Sequence, residues 1–379
     1  MRVGINLLGI RPGKSGGAQS YILNLLEGLK RQEKGDIEYY LFVTRDNKSL
    51  FENLDSLEHF IFVECVVDSG KVIKKLVWEN IMLNSVMEKN KIDVLFTPLY
   101  SKPLFSSRKL KNIIVIHDLQ ALHYPQYFGK VKLLWLKFAW KFNAKTSDRI
   151  VAISNFVKND ICDSLNIDEN KVTTIYNPIK VTENKADFNT MKLKYGIEEG
   201  KYFYTVSSMA PHKNLKTLLY VMKEIKENKE NKIEIINKLV ITGVSGSQAK
   251  EIVELINTLD IKENVIITGF LSDEERDVLY KNADIFLFPS LFEGFGMPPI
   301  EAMIHGVPVI TTMESSLPEV TENKAIYVKN PLDVKEWIKE IERLDRSNIQ
   351  TFENKHTVEI ISKQYVELFV NTYNENKKD

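Results

Sequence analysis

The chain reads as an α/β protein of two doubly wound, parallel-sheet domains, and three observations lead there. Its 379 residues suit two domains of ordinary size, each able to bury its own core. Short apolar runs alternate with stretches of helical period, the pattern of strands covered by helices on both faces. A polar, lysine-rich span between Asn177 and Gly200 separates two such series, so the boundary is placed there: 1–180 before it, 181–355 after it, and a closing segment 356–379.

Composition narrows the function classes. With 51 basic and 51 acidic residues there is no net basic field, and no nucleic acid is expected as a partner. Cys65 and Cys162 stand far apart, outside any metal or redox spacing, and read as reduced, buried thiols of a cytoplasmic protein. The opening MRVGINLLGIRPG is too short in apolar residues for a signal peptide, and no stretch approaches the roughly 18 to 20 needed to span a bilayer.

In the first half, Arg2 to Leu8 reads as a strand and Gly9 to Gly17 as a glycine-dense loop. A helix follows from Ala18 to Lys30, with Tyr21, Ile22, Leu25, Leu26 and Leu29 on one face. Gly16 and Gly17 stand at its start, where amides can approach a diphosphate or an acceptor, although the loop is not G-x-G-x-x-G. Strands are expected at Tyr39–Val43, Phe60–Val66 and Val94–Thr97, with a helix over Val72–Met87. The strand Ile113–Ile116 ends at His117 and Asp118, on the sheet edge where ligands of open α/β folds sit; a capping or turn role fits them equally. His123 reads as structural.

The segment Lys130 to Lys145 is aromatic and basic together. Lys130, Lys137, Lys141 and Lys145 share a stripe, while Leu133, Trp135, Leu136, Phe138, Trp140 and Phe142 take most of the remainder. It is read as a buried core helix, with a helix lying on a membrane interface as the alternative. Strands Arg149–Ser154 and Val172–Tyr176, around a helix from Phe156 to Leu165, complete the first sheet.

The second series opens with strand Tyr202–Val206, loop Ser207–Lys213 and helix Asn214–Glu227. Lys213, at a strand-loop-helix junction, is either a diphosphate ligand reinforced by free amides or a solvated surface lysine. Strands Leu239–Thr242 and Val265–Thr268 follow, with a helix over Gln248–Leu259 between them; Gly269 and Phe270 close the second strand. Ser272 and Glu275 then form a capping box opening the helix that carries Arg276 and Tyr280. Strand Ile285–Phe288 leads through a loop, Ser290 to Pro298, into a helix from Pro299 to Ile304, with Gly306 as its cap before strand Val307–Thr311. Glu293 lies on this loop and Glu301 is expected in the helix's first turn, where the dipole favours its ionised form. Both carboxylates read as acceptors for sugar or ribose hydroxyls, and the amides around Gly294, Phe295, Gly296 and Met297 as donors. Helices from Asp333 to Leu344 and Val358 to Val370 end the chain.

The segment Asp284 to Val320, with PS-LFEGFG-PPIEAM--G-PVI and SSLPEV, closely resembles the signature of retaining glycosyltransferases of family 4. That nucleotide-sugar-dependent group has the GT-B fold, two Rossmann-like domains facing a cleft. The resemblance implies an N-terminal acceptor domain, a C-terminal nucleotide-sugar domain, and a final helix crossing back to the first. It makes Glu293 the contact to the transferred sugar and Glu301 the contact to the ribose. VIHDLQALHYPQYF resembles the acceptor-domain motif, which places His117 near the transferred sugar as a catalytic residue with Glu293, and SDRIVAISNFVKNDI resembles the family as well. SSMAPHKNLKTLL resembles the phosphate-binding motif and assigns Lys213 to the diphosphate, with His212 only a candidate helper in place of a cation that this chain lacks. Here the chain departs from the pattern, because Ser207 and Ser208 stand where members commonly carry an arginine. The turn after Gly269 would meet the base through Phe270 and Leu271. Gly16, Gly17, Gly294, Phe295, Gly296 and Met297 complete the donor contacts.

No D-x-D pair occurs, and no His, Cys or carboxylate cluster has ligand spacing, so catalysis without metal or cofactor is expected, the nucleotide sugar being a co-substrate. The expectation is a cytoplasmic hexosyltransferase, GDP-mannose first among donors. Its acceptor would be a saccharide or lipid-linked saccharide of a cell-surface polysaccharide or lipopolysaccharide, with peripheral contact to the inner membrane surface. A UDP- or dTDP-sugar donor for glucosyl, N-acetylglucosaminyl or rhamnosyl transfer is the alternative. So are a sugar-nucleotide epimerase of the same fold, a small-molecule binding protein and a silent partner subunit. Domain closure is expected to complete the site.

Overall fold

The apolar runs pair as parallel strands in two separate sheets. The computed structural model describes residues 1–32, 36–54, 57–104, 107, 110–181, 186–228, 238–346 and 349–375. Its contacts divide into two units, Met1–Lys180 with Lys355–Asp379, and Val181–Asn354.

The first unit runs β1 (Arg2–Asn6), α1 (Gly16–Arg31), β2 (Glu38–Thr44), β3 (Phe60–Cys65), α2 (Val72–Ile81), α3 (Leu83–Lys89), β4 (Val94–Thr97), β5 (Lys111–Ile116), α4 (Gln120–His123), α5 (Lys130–Thr146), β6 (Arg149–Ala152), α6 (Asn155–Leu165) and β7 (Val172–Thr174). The strand order is β3-β2-β1-β4-β5-β6-β7. Every pair is parallel, so each connection must cross over one face. Side-chain alternation along β4 separates the two covering layers. Leu95 joins Leu83 and Met87 of α3 in one core cluster, whereas the Phe96 ring lies 5.3 Å from both Tyr365 and Phe369 of the C-terminal helix.

The second unit runs α7 (Phe188–Tyr195), β8 (Tyr202–Val206), α8 (Leu215–Glu227), β9 (Lys238–Thr242), α9 (Ser247–Thr258), β10 (Val265–Gly269), α10 (Asp273–Lys281), β11 (Ile285–Phe288), α11 (Met297–Ile304), β12 (Val309–Thr312), α12 (Leu317–Val320), β13 (Ile326–Val328) and α13 (Val334–Arg343). Its sheet is ordered β10-β9-β8-β11-β12-β13, again parallel throughout. Trp337 of α13 is fully buried and donates its indole N–H to the Pro331 carbonyl at 3.0 Å.

The last helix, α14 (Val358–Asn374), returns to the first unit and packs along α1. Gly28 permits the close approach, since a Cβ there would stand 2.2 Å from the Val358 carbonyl oxygen. The Tyr21 and Tyr365 hydroxyls meet at 2.5 Å in this interface, both rings being buried. Ile179 and Thr357 pair side by side where the chain leaves the unit and re-enters it.

Three expectations need correction. The single helix over Val72–Met87 is two, broken at Met82. Cys65 is buried, and burial with the nearby Glu79 and Glu64 charges pushes its thiol up to about 12, but Cys162 is only half-buried. Most consequentially, α5 is not a buried core helix. It rests on the unit through Leu136, Ala139, Trp140, Asn143 and Ala144, and leaves Leu134, Trp135 and Phe138 exposed. A helix in the outer layer of a sheet needs only one packed face, and α5 carries apolar residues on both.

Candidate active site

Strand order brings together what the chain keeps apart. In the second sheet β8 and β11 are neighbours at the point where the order reverses, and the loops leaving their carboxyl ends carry Lys213 and Glu293. The Lys213 ammonium donates to both carboxylate oxygens of Glu293, at 2.7 and 2.9 Å. The Glu293 side chain is 10% exposed and that of Lys213 24%, so the pair is largely withdrawn from water. Lys213 also stands 5.8 Å over the Phe288 ring.

Each loop is fixed by backbone bonds. Asn214, at φ 52°, turns the chain into α8, and its side chain donates to the carbonyls of Pro289 (3.2 Å) and Pro331 (3.0 Å). The Leu291 amide donates to the His212 carbonyl at 2.7 Å. From the other side the Glu293 amide donates to Ser315 Oγ (2.7 Å), while the Ser316 hydroxyl contacts the carbonyls of Glu293 and Phe295, each at 3.0 Å. The serines of SSLPEV therefore hold the backbone of the Glu293 loop. Burial, with the neighbouring Lys213 charge and against that of Glu293, pushes His212 down to about 4, so it stands neutral beside the lysine at pH 7.

Glu301 has its own support. Tyr280 donates its hydroxyl to Glu301 Oε2 at 2.8 Å, and Arg276 Nε lies 3.6 Å from the same oxygen. The Glu301 charge holds the Arg276 guanidinium above its ordinary range, and burial followed by that same charge raises Tyr280. One carboxylate edge is thus held by α10. Arg276 and Tyr280 were legible only as residues of that helix; their i, i+4 spacing, which puts both on one face, was the available signal.

Glu301 is not in the first turn of its helix. α11 begins at Met297, two residues before the expected start, so Glu301 is the fifth residue and no acidic side chain lies in the first turn. Gly296, at φ 87°, makes the entry, and a Cβ there would meet Leu317 Cδ2 at 2.8 Å. Pro298 and Pro299 then accept helical φ but bring no N–H, leaving fewer free amides at this end than a helix ordinarily offers. Phe295 is 2% exposed, so its ring is core and only its backbone faces the loop. Gly294 is buried and Met297 half-buried.

At the end of β10, Phe270 is 69% exposed, a large ring on the surface, whereas Leu271 packs into the core. The Ser207 hydroxyl contacts the Ser208 carbonyl at 3.4 Å, and neither serine brings a cation.

The remaining residues lie in the first unit. Gly16, at φ 47°, and Gly17 open α1, and the space where a Gly16 side chain would go is empty. His117, half-buried after β5, engages the Pro98 carbonyl through Nε2 at 2.8 Å. Its ring packs edge-on against Tyr21 of α1 at 5.0 Å. Burial holds its pKa below the usual histidine value against the opposing Pro98 carbonyl and Asp118, so the ring is a neutral hydrogen-bonding group at pH 7. Asp118 caps the following turn by accepting the Gln120 amide at 3.0 Å, and His123 pairs with Asp160 at 2.8 Å.

Residues 187–359 match the family model described as Glycosyl transferases group 1, and residues 15–183 the one described as Glycosyltransferase Family 4. Among curated relatives, the O-antigen chain mannosyltransferase RfbU of Salmonella typhimurium is 32% identical over 234 residues, 61% of each chain. The O-antigen chain mannosyltransferase B of Escherichia coli is 24% identical over 241 residues, 62% of each chain. The chain thus spans about three fifths of the length of these relatives. Among solved structures, Anabaena HepE in complex with UDP and glucose superposes with a TM-score of 0.72 at 16% identity, covering 98% of this chain and 100% of that one. Sucrose-phosphate synthase of Thermosynechococcus elongatus gives 0.75 at 16%, covering 98% and 99%. Likeness at such identity is one of fold, and the fold is the two-domain, Rossmann-like GT-B architecture.

Proposed function

Because this chain belongs to the group 1, family 4 glycosyltransferases, we propose that it is a retaining hexosyltransferase of the cytoplasm. It moves mannose from GDP-mannose onto a saccharide or lipid-linked saccharide of a surface polysaccharide. The observation that carries the reading is the Lys213–Glu293 pair, a cation and a carboxylate held 2.7 Å apart where the sheet order reverses. In this reading the donor diphosphate takes the Lys213 ammonium, and Glu293, released from it, accepts hydroxyls of the sugar. Glu301, one oxygen held by Tyr280, offers the other to the ribose, and Phe270 meets the base. Gly16, Gly17 and His117 are assigned to the sugar and acceptor.

Retention follows from front-face substitution. The bond from the anomeric carbon to the phosphate oxygen breaks, the acceptor oxygen bonds on the same face, and the departing phosphate takes the acceptor's proton. No metal is assigned a role: among the described residues no three His, Cys, Asp or Glu side chains converge, and the leaving charge is given to Lys213 and backbone amides. The mannosyltransferase relatives support mannose as the sugar.

A thermal-shift screen across GDP-, UDP-, dTDP- and ADP-sugars tests the donor, followed by hydrolysis of the strongest stabiliser. GDP-mannose is expected to raise Tm most and to be hydrolysed slowly. A larger shift with a UDP-sugar would move the assignment to that donor, and epimerisation without an acceptor would replace transfer altogether.

A further inference from the structure

Two helices of the first unit present apolar stripes that are largely exposed. On α2, Ile73, Val77 and Ile81 recur at four-residue spacing and are 79%, 52% and 65% exposed. On α5, Leu134, Trp135 and Phe138 are 70%, 42% and 53% exposed, and Phe138 stacks on Phe142 at 5.7 Å to extend the stripe. The two helices lie in one layer. The crossovers from β3 to β4 and from β5 to β6 run in the same direction across the sheet, so right-handed connections place both on the same face. The loop after β4 joins them: the Leu104 amide donates to Asn80 Oδ1 of α2 at 2.7 Å, and the Tyr100 ring packs edge-on to Trp140 of α5 at 5.8 Å.

The charged side chains that α2 and α5 themselves expose are all cationic, and the nearest acid before α2, Asp68, is paired with Lys71 at 2.5 Å. α5 carries Lys130, Lys132, Lys137, Lys141 and Lys145, all exposed, and no acidic residue. α2 exposes Lys74, while the half-buried Lys75 turns its ammonium toward Gly9 and the charge of Glu79, the one carboxylate of α2, which is buried and bound to Asn6 at 2.6 Å. Apolar stripes with indole and phenyl rings, edged by long cationic side chains, match the headgroup-to-acyl boundary of an anionic bilayer. The rings settle at headgroup depth and the lysine stems reach out to the phosphates. Among the described residues no helix is long and apolar enough to cross a membrane, so α2 and α5 would lie in its plane. A second copy of the chain fits poorly, because a two-fold contact would set lysines against lysines.

We propose that the α2–α5 face docks this protein on an anionic lipid surface. The intact protein is sedimented with phosphatidylcholine vesicles, with and without phosphatidylglycerol, in the absence of any sugar nucleotide. The result therefore stands apart from the donor assay. Binding is expected only to the phosphatidylglycerol vesicles and is expected to fall steeply with salt. Leu134→Ser with Phe138→Ser should weaken it at least about tenfold, Ile73→Ser should weaken it as well, and Lys137→Gln and Lys141→Gln should each cost about fivefold. All are surface positions, so thermal transitions matching wild type exclude misfolding as the cause. Equal binding to neutral vesicles, indifference to these substitutions, or a self-association in sedimentation velocity that Phe138→Ser abolishes would overturn the proposal; the last would give the face to a second copy.

Discussion

Removing the Lys213 ammonium leaves the Glu293 carboxylate, 8% exposed as a residue, without its counter-charge. Lys213→Met should destabilise the protein by about 2 kcal/mol, less than a fully buried pair because the lysine retains some solvent. Adding Glu293→Gln should restore part of that, as urea denaturation would report. Glu293→Gln alone should slow sugar transfer by about a hundredfold or more while nucleotide binding, followed by calorimetry, stays near wild type. His212 gives a pH signature. Its pKa is lowered by folding to about 4, so the unfolded chain binds the proton more readily. The contribution is complete above roughly pH 6.5 and lost as pH falls toward the folded value. Stability should drop by up to about 3 kcal/mol across that window, and His212→Asn should flatten the drop. Lys213 and Glu293 were each legible as motif residues. Their bidentate contact was not, because 80 positions separate them and only the adjacency of β8 and β11 closes the distance.

α11 shows how local chemistry shifts an element's start. Pro299 is the natural first residue by sequence, yet Gly296 at φ 87° admits the turn two residues earlier, at Met297, and both prolines follow inside the helix. Gly296→Ala combines left-handed strain with the Leu317 contact and should lower stability by about 2 kcal/mol, read as a fall in Tm. Tyr280→Phe keeps the ring and removes the hydroxyl from Glu301, and should weaken nucleotide binding about five- to tenfold with kcat nearly unchanged. The long strands and the amphipathic α1 were readable because periodicity alone defines them. The short elements α7, α12 and β13 span only 8, 4 and 3 residues, too few for a period to register. The failure at α5 has a different origin. Apolar content signals burial only when something covers it, and no sequence pattern says whether the cover belongs to the same chain.

For the whole molecule, the alternation of runs foretold two doubly wound sheets, but not the strand orders, which long-range packing decides. Gly28 is where that packing is most exacting. Gly28→Val would drive a side chain into the Val358 carbonyl and should detach α14, seen as faster amide exchange across Val358–Asn374 before other helices of the first unit. The same helix imposes an order on synthesis. The first unit is closed by residues translated only after the whole of Val181–Asn354 has been made. At roughly 5–20 residues per second, the inner face of α1, which ends at Arg31, waits on the order of 15–65 seconds for its cover, which begins at Val358. The second unit is continuous in the chain and has all its strands before then, so the half of the protein that emerges later from the ribosome is the half that can finish folding first.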